Sequence, residues 1–212
     1  MKTEGLSQIG ESVRAHLDAK HKAREQALTL TREVIRLSAN AIRAVHRREF
    51  GAAEELLAKA RSNLERTAEG LAQHQDIFHA GFVHDSQKEF AEANTTLALI
   101  AGRPLPTPED LGVMGPAYLN GIGETVGELR RHLLDSLRQG EIAHCEECLD
   151  AMGDIYDVLI TMDYPEAVTS GLRRTADAMR GILERTRGDF TMAYVQRRLE
   201  DRIREADARG SS

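Results

Sequence analysis

Tryptophan is absent from this 212-residue chain, and aromatic residues of any kind make up only 4% of it. A core drawn from this alphabet must be aliphatic and rich in alanine. No apolar run reaches the roughly 18 to 20 residues that cross a membrane, so no transmembrane helix is expected. The opening residues, Met1-Lys-Thr-Glu-Gly5, lack the apolar stretch of a signal peptide, which predicts a cytoplasmic protein. Cys145 and Cys148 are the only cysteines and should then be reduced. Strand-like alternation, internal repeats, a P-loop and a Ser/His/Asp arrangement are all missing. Acidic residues outnumber basic ones by 34 to 28, for a net charge of -6. The chain as a whole is therefore no binder of polyanions, and any contact with nucleic acid must come from local patches.

What remains is long stretches of Ala, Leu, Glu and Arg broken by only five prolines, a composition that favours helix nearly throughout. The expected fold is all-α: one domain over 1-212, a bundle of six or seven long antiparallel helices, fraying from about residue 208. Helices are expected over about 6–48, 52–75, 83–101, 116–139, 141–162 and 166–207, the last with an interruption at Arg187-Gly-Asp189. Thr107-Pro-Glu-Asp110 has the pattern of a capped helical turn.

Two pairs of acids stand out. Glu89 and Glu92 lie on the third expected helix, with Asp85 nearby. Glu124 and Glu128 lie one turn apart on the fourth, among glycines at 121, 123 and 127. Each such glycine costs about 1 kcal/mol relative to alanine, so a helix that keeps them is closely packed or built around a site. A connection of about a dozen residues lets the two helices pack as antiparallel neighbours. Four converging carboxylates cannot all stay ionised without cations, and hard oxygen ligands select Mg²⁺ or Mn²⁺. Such a site activates water and clamps a phosphodiester. The alternative is that these glutamates are ordinary surface residues of a charged bundle.

Arg32, Arg36, Arg43 and Arg47 step along one face of the first helix together with Asn40. They form either a solvated face or a stripe that tracks phosphates, since guanidinium forks match phosphate geometry. His74, His79 and His84 mark the junction before the third helix, as capping residues or as contacts to phosphates and bases. Two other motifs are weaker. Cys145-x-x-Cys148 supplies too few ligands for a structural zinc. Glu141-x-x-His144 is half of a di-iron signature with no second copy.

The chain resembles the Translin/Trax family over about 24–189. The resemblance is carried by Thr31-Arg-Glu-Val-Ile-Arg36, Glu89-Phe-Ala-Glu-Ala93, Tyr118-Leu-Asn-Gly121 followed by Gly127-Glu-Leu129, and Gly140-Glu-Ile142. It implies an all-α bundle that assembles into a homo-oligomer, often an octameric shell, and binds single-stranded RNA or DNA. Trax-type subunits are similar in carrying acids for a Mg²⁺-dependent endoribonuclease; Translin-type subunits bind without most of those acids. Glu89 and Glu92 match the Trax glutamate pair, and Glu128 matches a nearby glutamate. Glu124 falls where Trax has an aspartate, which keeps the charge and adds one methylene. The resemblance therefore implies a Trax-like nuclease with Glu89, Glu92, Glu124 and Glu128 as metal-holding catalytic residues. Its alternatives are a Translin-like binder that does not cut and a helical scaffold with no nucleic-acid role.

Overall fold

A computed structural model describes residues 3–210. It contains α1 (Leu6–His46), α2 (Phe50–Gly70), α3 (Gln75–Phe78), α4 (Gly81–Ile100), α5 (Pro108–Leu111), α6 (Gly115–Gln139), α7 (Ile142–Leu159), α8 (Glu166–Thr169) and α9 (Leu172–Gly210). Six helices are long, and three are single four-residue turns. No strand occurs among the described residues. Residues 211 and 212 of the expected frayed tail lie outside them. No helix of the described residues is long and apolar enough to cross a membrane.

Two three-helix layers make the bundle. Val34, Leu37, Ala41, Ala53, Leu57 and Phe90 bury the faces of α1, α2 and α4 against one another. Val126, Leu129, Met152, Ile155, Met179 and Leu183 do the same for α6, α7 and α9. The layers meet where α4 packs on α6. As the composition requires, Phe90 is the only aromatic residue among the largest fully buried side chains of the described residues.

Short links give the expected antiparallel hairpins α1–α2 and α6–α7. The pairing of α4 with α6 differs from expectation. Gln87 accepts from the Met114 backbone N–H, Ala91 faces Gly121, and Thr95 bonds Thr125, so contacts advance together along both helices. These two helices are therefore parallel. The connection 101–114 is long enough to travel back along α4 before α6 begins. On the way Leu111 enters the core and the Asp110 carbonyl accepts from Arg61 at 2.8 Å.

Two further details follow from local chemistry. Thr107 and Asp110 form the expected capping box, which closes α5. The expected break at Arg187-Gly-Asp189 does not occur, and α9 runs through it. Arg130 of α6 donates to Thr186 at 2.9 Å and to Asp189 at 2.7 Å, and Phe190 is buried. Tertiary contacts on both sides of Gly188 offset its cost to the helix.

Candidate functional site

The parallel seam between α4 and α6 is unusually close, and Gly121 is why. A Cβ there would sit 2.6 Å from the Lys88 carbonyl oxygen, 2.8 Å from Ala91 Cβ and 2.9 Å from the Glu92 nitrogen. The obstacles are mostly backbone, so they cannot swing away. Directly above, the Thr95 and Thr125 hydroxyls share a 2.7 Å hydrogen bond, and Thr125 also lies 3.3 Å from the Glu92 carbonyl. These buried hydroxyls fix the axial register of the two helices. Gly121→Ala is expected to destabilise the fold by about 1–3 kcal/mol through overpacking. Gly127 faces open space, so Gly127→Ala should be neutral or stabilising by up to about 1 kcal/mol. Urea unfolding of the two variants checks the contrast, and equal effects would refute this account of the seam.

The close seam places Glu89, Glu92 and Glu124 so that one oxygen of each lies within 4.8 Å of the others. Glu92 is 9% exposed. Burial, and then the negative charges of Glu89, Glu124 and Glu128, push its carboxyl up to about 8. Burial also raises Glu89. The Lys88 ammonium donates to Glu124 at 2.8 Å and lies 3.6 Å from Glu89. Burial alone would lower Lys88, but its bond to Glu124 and the surrounding acids outweigh this and raise it. One ammonium cannot neutralise three carboxylates, and the imbalance favours a proton on Glu92.

Glu128 does not join this group. Its Oε2 lies 2.5 Å from His46 Nε2, with Arg131 4.0 Å away. The bond to His46 holds the Glu128 carboxyl below its usual range against the opposing effect of burial. The expected quartet is therefore a triad plus a carboxylate–imidazole pair. Glu128 is one turn beyond Glu124, where α1 crosses α6, and the ring of α1 captures it. His46 Nδ1 is buried and finds no partner.

A cleft opens beside the triad, lined by His84, Asp85, Lys88, Glu124, Arg174 and Thr175. Asn120 fixes its floor. Its Nδ2 donates to the Thr169 carbonyl at 2.9 Å, and its Oδ1 accepts from Thr175 at 2.7 Å. The three junction histidines diverge. His84 reaches the cleft, His79 stacks edge-on against Phe78, and His74 lies against His16.

The four arginines of the α1 stripe are all exposed. Arg36 forks onto Glu33 at 2.8 and 2.5 Å, and Arg47 donates to Glu49 at 2.7 Å. Arg43 donates to the neutral Asn40 side chain at 2.8 Å. The two cysteines do not act as a pair. The Cys145 thiol donates to the Glu141 and Leu133 carbonyls at 3.2 and 3.5 Å. Burial pushes the Cys148 thiol up to about 11. Glu141 pairs with Arg48 at 3.4 Å, and His144 with Glu147 at 3.3 Å.

Sequence reading missed Lys88, His46 and His132. The signal for the histidines was their placement. His46 follows Ile42 by one turn on the buried stripe of α1, and His132 follows Leu129 on that of α6. Lys88 immediately precedes Glu89.

No family model matches the sequence. An uncharacterised protein of Methanocaldococcus jannaschii is 29% identical over 192 residues, which cover 89% of this chain and 84% of that protein. Two structures of AfC3PO superpose with a TM-score of 0.81 and 34% identity, covering 88% of this chain and 97% of AfC3PO. One of them is a complex with duplex RNA. Apo-NeC3PO superposes with a TM-score of 0.73 over 91% of this chain and 99% of its own; at 19% identity it attests the fold alone. With a relative above 30% identity matched over nearly its whole length, this chain belongs to the C3PO group of the Translin/Trax family.

Proposed function

We propose that the chain binds single-stranded RNA and cuts it with Mg²⁺ held by Glu89, Glu92 and Glu124. The convergence of these three carboxylates carries the reading, with one of them driven up to about 8. An all-oxygen donor set of this charge fits a hard divalent cation such as Mg²⁺, with Mn²⁺ as a substitute. Bound there, the metal would stabilise phosphate charge and acidify water. The chain's own groups have separate tasks. Glu92, protonated near neutrality without the cation, would give up that proton to bind it, so cation binding at this site is expected to strengthen as pH rises. Lys88, released from Glu89 and Glu124, would reach a phosphate oxygen at the cleft. Glu128, oriented by His46, adds negative charge that favours a cation. AfC3PO in complex with duplex RNA supports RNA as the class of ligand. Single-stranded RNA is the expected substrate, and single-stranded DNA a second ligand.

Labelled single-stranded RNA with Mg²⁺ or with EDTA, beside Glu89→Ala/Glu92→Ala, tests this. Cleavage that needs Mg²⁺ and vanishes in the variant supports the proposal. Binding without cleavage would sink the nuclease and favour the second reading, a Translin-like binder. One observation favours that reading: Lys88 already satisfies two of the triad's carboxylates.

Of the stripe, Arg32 and Arg43 are not tied to acids, whereas Arg36 and Arg47 are paired. Arg32→Ala and Arg43→Ala should therefore weaken RNA binding most. Each should flatten the slope of log K against log salt by about 0.7, the value for one lost phosphate contact on a single strand. Titrations between 50 and 200 mM salt would show it, and an unchanged slope would remove the stripe from the interface.

The same proposal includes a homo-oligomer. Leu6, Ile9, Val13 and Leu17 form an apolar stripe at the start of α1, between 51% and 62% exposed. Residues 3–19 are exposed throughout, so nothing among the described residues covers that stripe. Met192, Val195, Leu199 and Ile203 repeat the same spacing on α9, also exposed. A second copy of the chain is the occupant that fits two matching stripes, as in the octameric shell the family resemblance implies. Ile9→Asp/Leu17→Asp should lower the mass measured by light scattering; an unchanged mass would place the subunit contacts elsewhere.

A further inference from the structure

His132, His144 and Cys148 share no ligand with the acid triad just assigned and have no part in that chemistry. His144 and Cys148 are one turn apart on α7, so both side chains leave the same face of the helix. His132 meets them from α6, with its Nε2 2.9 Å from His144 Nε2. One ligand atom from each of the three residues lies within 4.8 Å of the other two. We infer that these three residues form a second cation site, at the end of the α6–α7 hairpin, for a borderline transition metal of the Zn²⁺ class.

Four observations support the assignment. The donors are two imidazoles and one sulfur, a set that suits Zn²⁺, Co²⁺, Ni²⁺ or Cu²⁺ and does not suit Mg²⁺. The two facing Nε2 atoms can share only one proton between them, and a metal between them would use both lone pairs. Glu147 Oε2 lies 3.3 Å from His144 Nδ1, on the far side of the ring. That is the outer-shell carboxylate that ligating histidines usually have, and it turns Nε2 toward the site. His132 and Cys148 are each 6% exposed, while the His144 side chain is 36% exposed. The site is thus walled on the bundle side and open where His144 meets solvent. That opening gives an entry path and room for water as a fourth ligand. Cys145 is no ligand, because its thiol faces backbone carbonyls of α6 and α7.

Such a metal would join α6 to α7 near Gly140. It would also fix the ring of His132, whose centroid is 6.4 Å from that of His46, the residue that holds Glu128. This places the second cation beside the acid site without sharing a ligand with it.

Cobalt is the probe that separates the two sites, because a thiolate-to-cobalt charge-transfer band reports sulfur ligation alone. The full-length protein, stripped with a chelator, is titrated with Co²⁺ and then with Zn²⁺. The expected result is one sulfur-ligated Co²⁺ per chain, displaced by Zn²⁺. Cys148→Ser should abolish the band. His144→Ala, at a half-exposed position that tolerates truncation, should weaken Zn²⁺ binding by at least about 10–100-fold, the loss that even outer-shell changes produce. Glu89→Gln/Glu124→Gln should leave the band intact. No band in the wild-type protein would overturn the site, as would a band surviving Cys148→Ser or a Zn²⁺ affinity indifferent to His144→Ala. Should Cys148→Ser fail to fold, the His144→Ala titration decides. RNA cleavage is not a readout here, so this inference and the proposed nuclease can fail separately.

Discussion

Replacing Glu92 with glutamine is expected to lower Mg²⁺-dependent RNA cleavage by about 10²–10³-fold and, at the same time, to stabilise the metal-free protein. The side chains have nearly the same shape, so a residue that is 9% exposed keeps its packing. What changes is charge. A metal ligand supplies several kcal/mol of charge stabilisation in the transition state, and each ~1.4 kcal/mol is a factor of ten in rate. The stability gain has the opposite sign because ionised Glu92 is costly in the fold. It is buried among Glu89, Glu124 and Glu128, with only Lys88 to offset them. Removing that charge should return about 2 kcal/mol near pH 8, or roughly 4–8 °C in melting temperature for a chain of this size. The two readouts belong together. A residue that merely supports the fold would lose activity and stability in parallel. Unchanged cleavage in Glu92→Gln would remove it from the reaction.

The metal-free protein should also lose stability as pH rises from about 6.5 to 8. Glu92 holds its proton up to about 8 in the folded state, against 4.5 for an ordinary glutamate. Its contribution is therefore complete below about 4.5 and is lost as pH climbs through 8. Glu89 is shifted in the same direction by burial. His132 acts the other way. Burial, with the neighbouring His144, His46 and Arg48, lowers it to about 4 from the ordinary 6.5. Its contribution is present above 6.5 and is lost as pH falls toward 4, and burial gives His84 the same sign. Between about 4.5 and 6.5 the two groups of residues oppose each other; between about 6.5 and 8 the acids act alone. Saturating Mg²⁺ binds the ionised acids, so the melting-temperature gain it gives should grow across that window. Thermal melts at half-unit pH steps, with and without Mg²⁺, test both slopes. Glu92→Gln should flatten the metal-free one, and a wild-type profile already flat there would contradict the assignment of Glu92.

Much of this was legible in the sequence because one-dimensional signals were strong. Leu and Ala periodicity gave six long helices, and the threonine–aspartate spacing gave the α5 cap. Glycines 121 and 123 announced close packing, and both sites are crowded: a Cβ on Gly123 would lie 2.5 Å from Thr175 Cγ2. Gly127, in the same run, touches nothing within 4 Å. What failed was direction and partnership, which are three-dimensional. A connection of about a dozen residues was read as a turn between antiparallel neighbours, but its length lets the chain double back along α4. Glu128 shares its helical face with Glu124, and nothing in the spacing tells that His46, 82 positions away in the chain, takes it. His132 was missed, and His144 and Cys148 were weighed only in other pairings, for a related reason. The eye pairs Cys145 with Cys148, whereas the fold pairs Cys148 with histidines of two helices.

The length of α1 has one more consequence. Arg32 and Arg43 are eleven residues apart on an unbroken helix, which at 1.5 Å per residue is about 16 Å. His46, at the end of the same helix, touches Glu128, one turn along α6 from Glu124 of the triad. If α1 grips RNA along its side as proposed, with its tip held next to the proposed metal site, the helix would behave as a ruler. Stacked nucleotides advance about 3.4 Å along each strand of a duplex, so that span would match roughly five of them. Oligonucleotides shorter than that would leave part of the scale unread, and product size would then be set by the helix as much as by the scissile site.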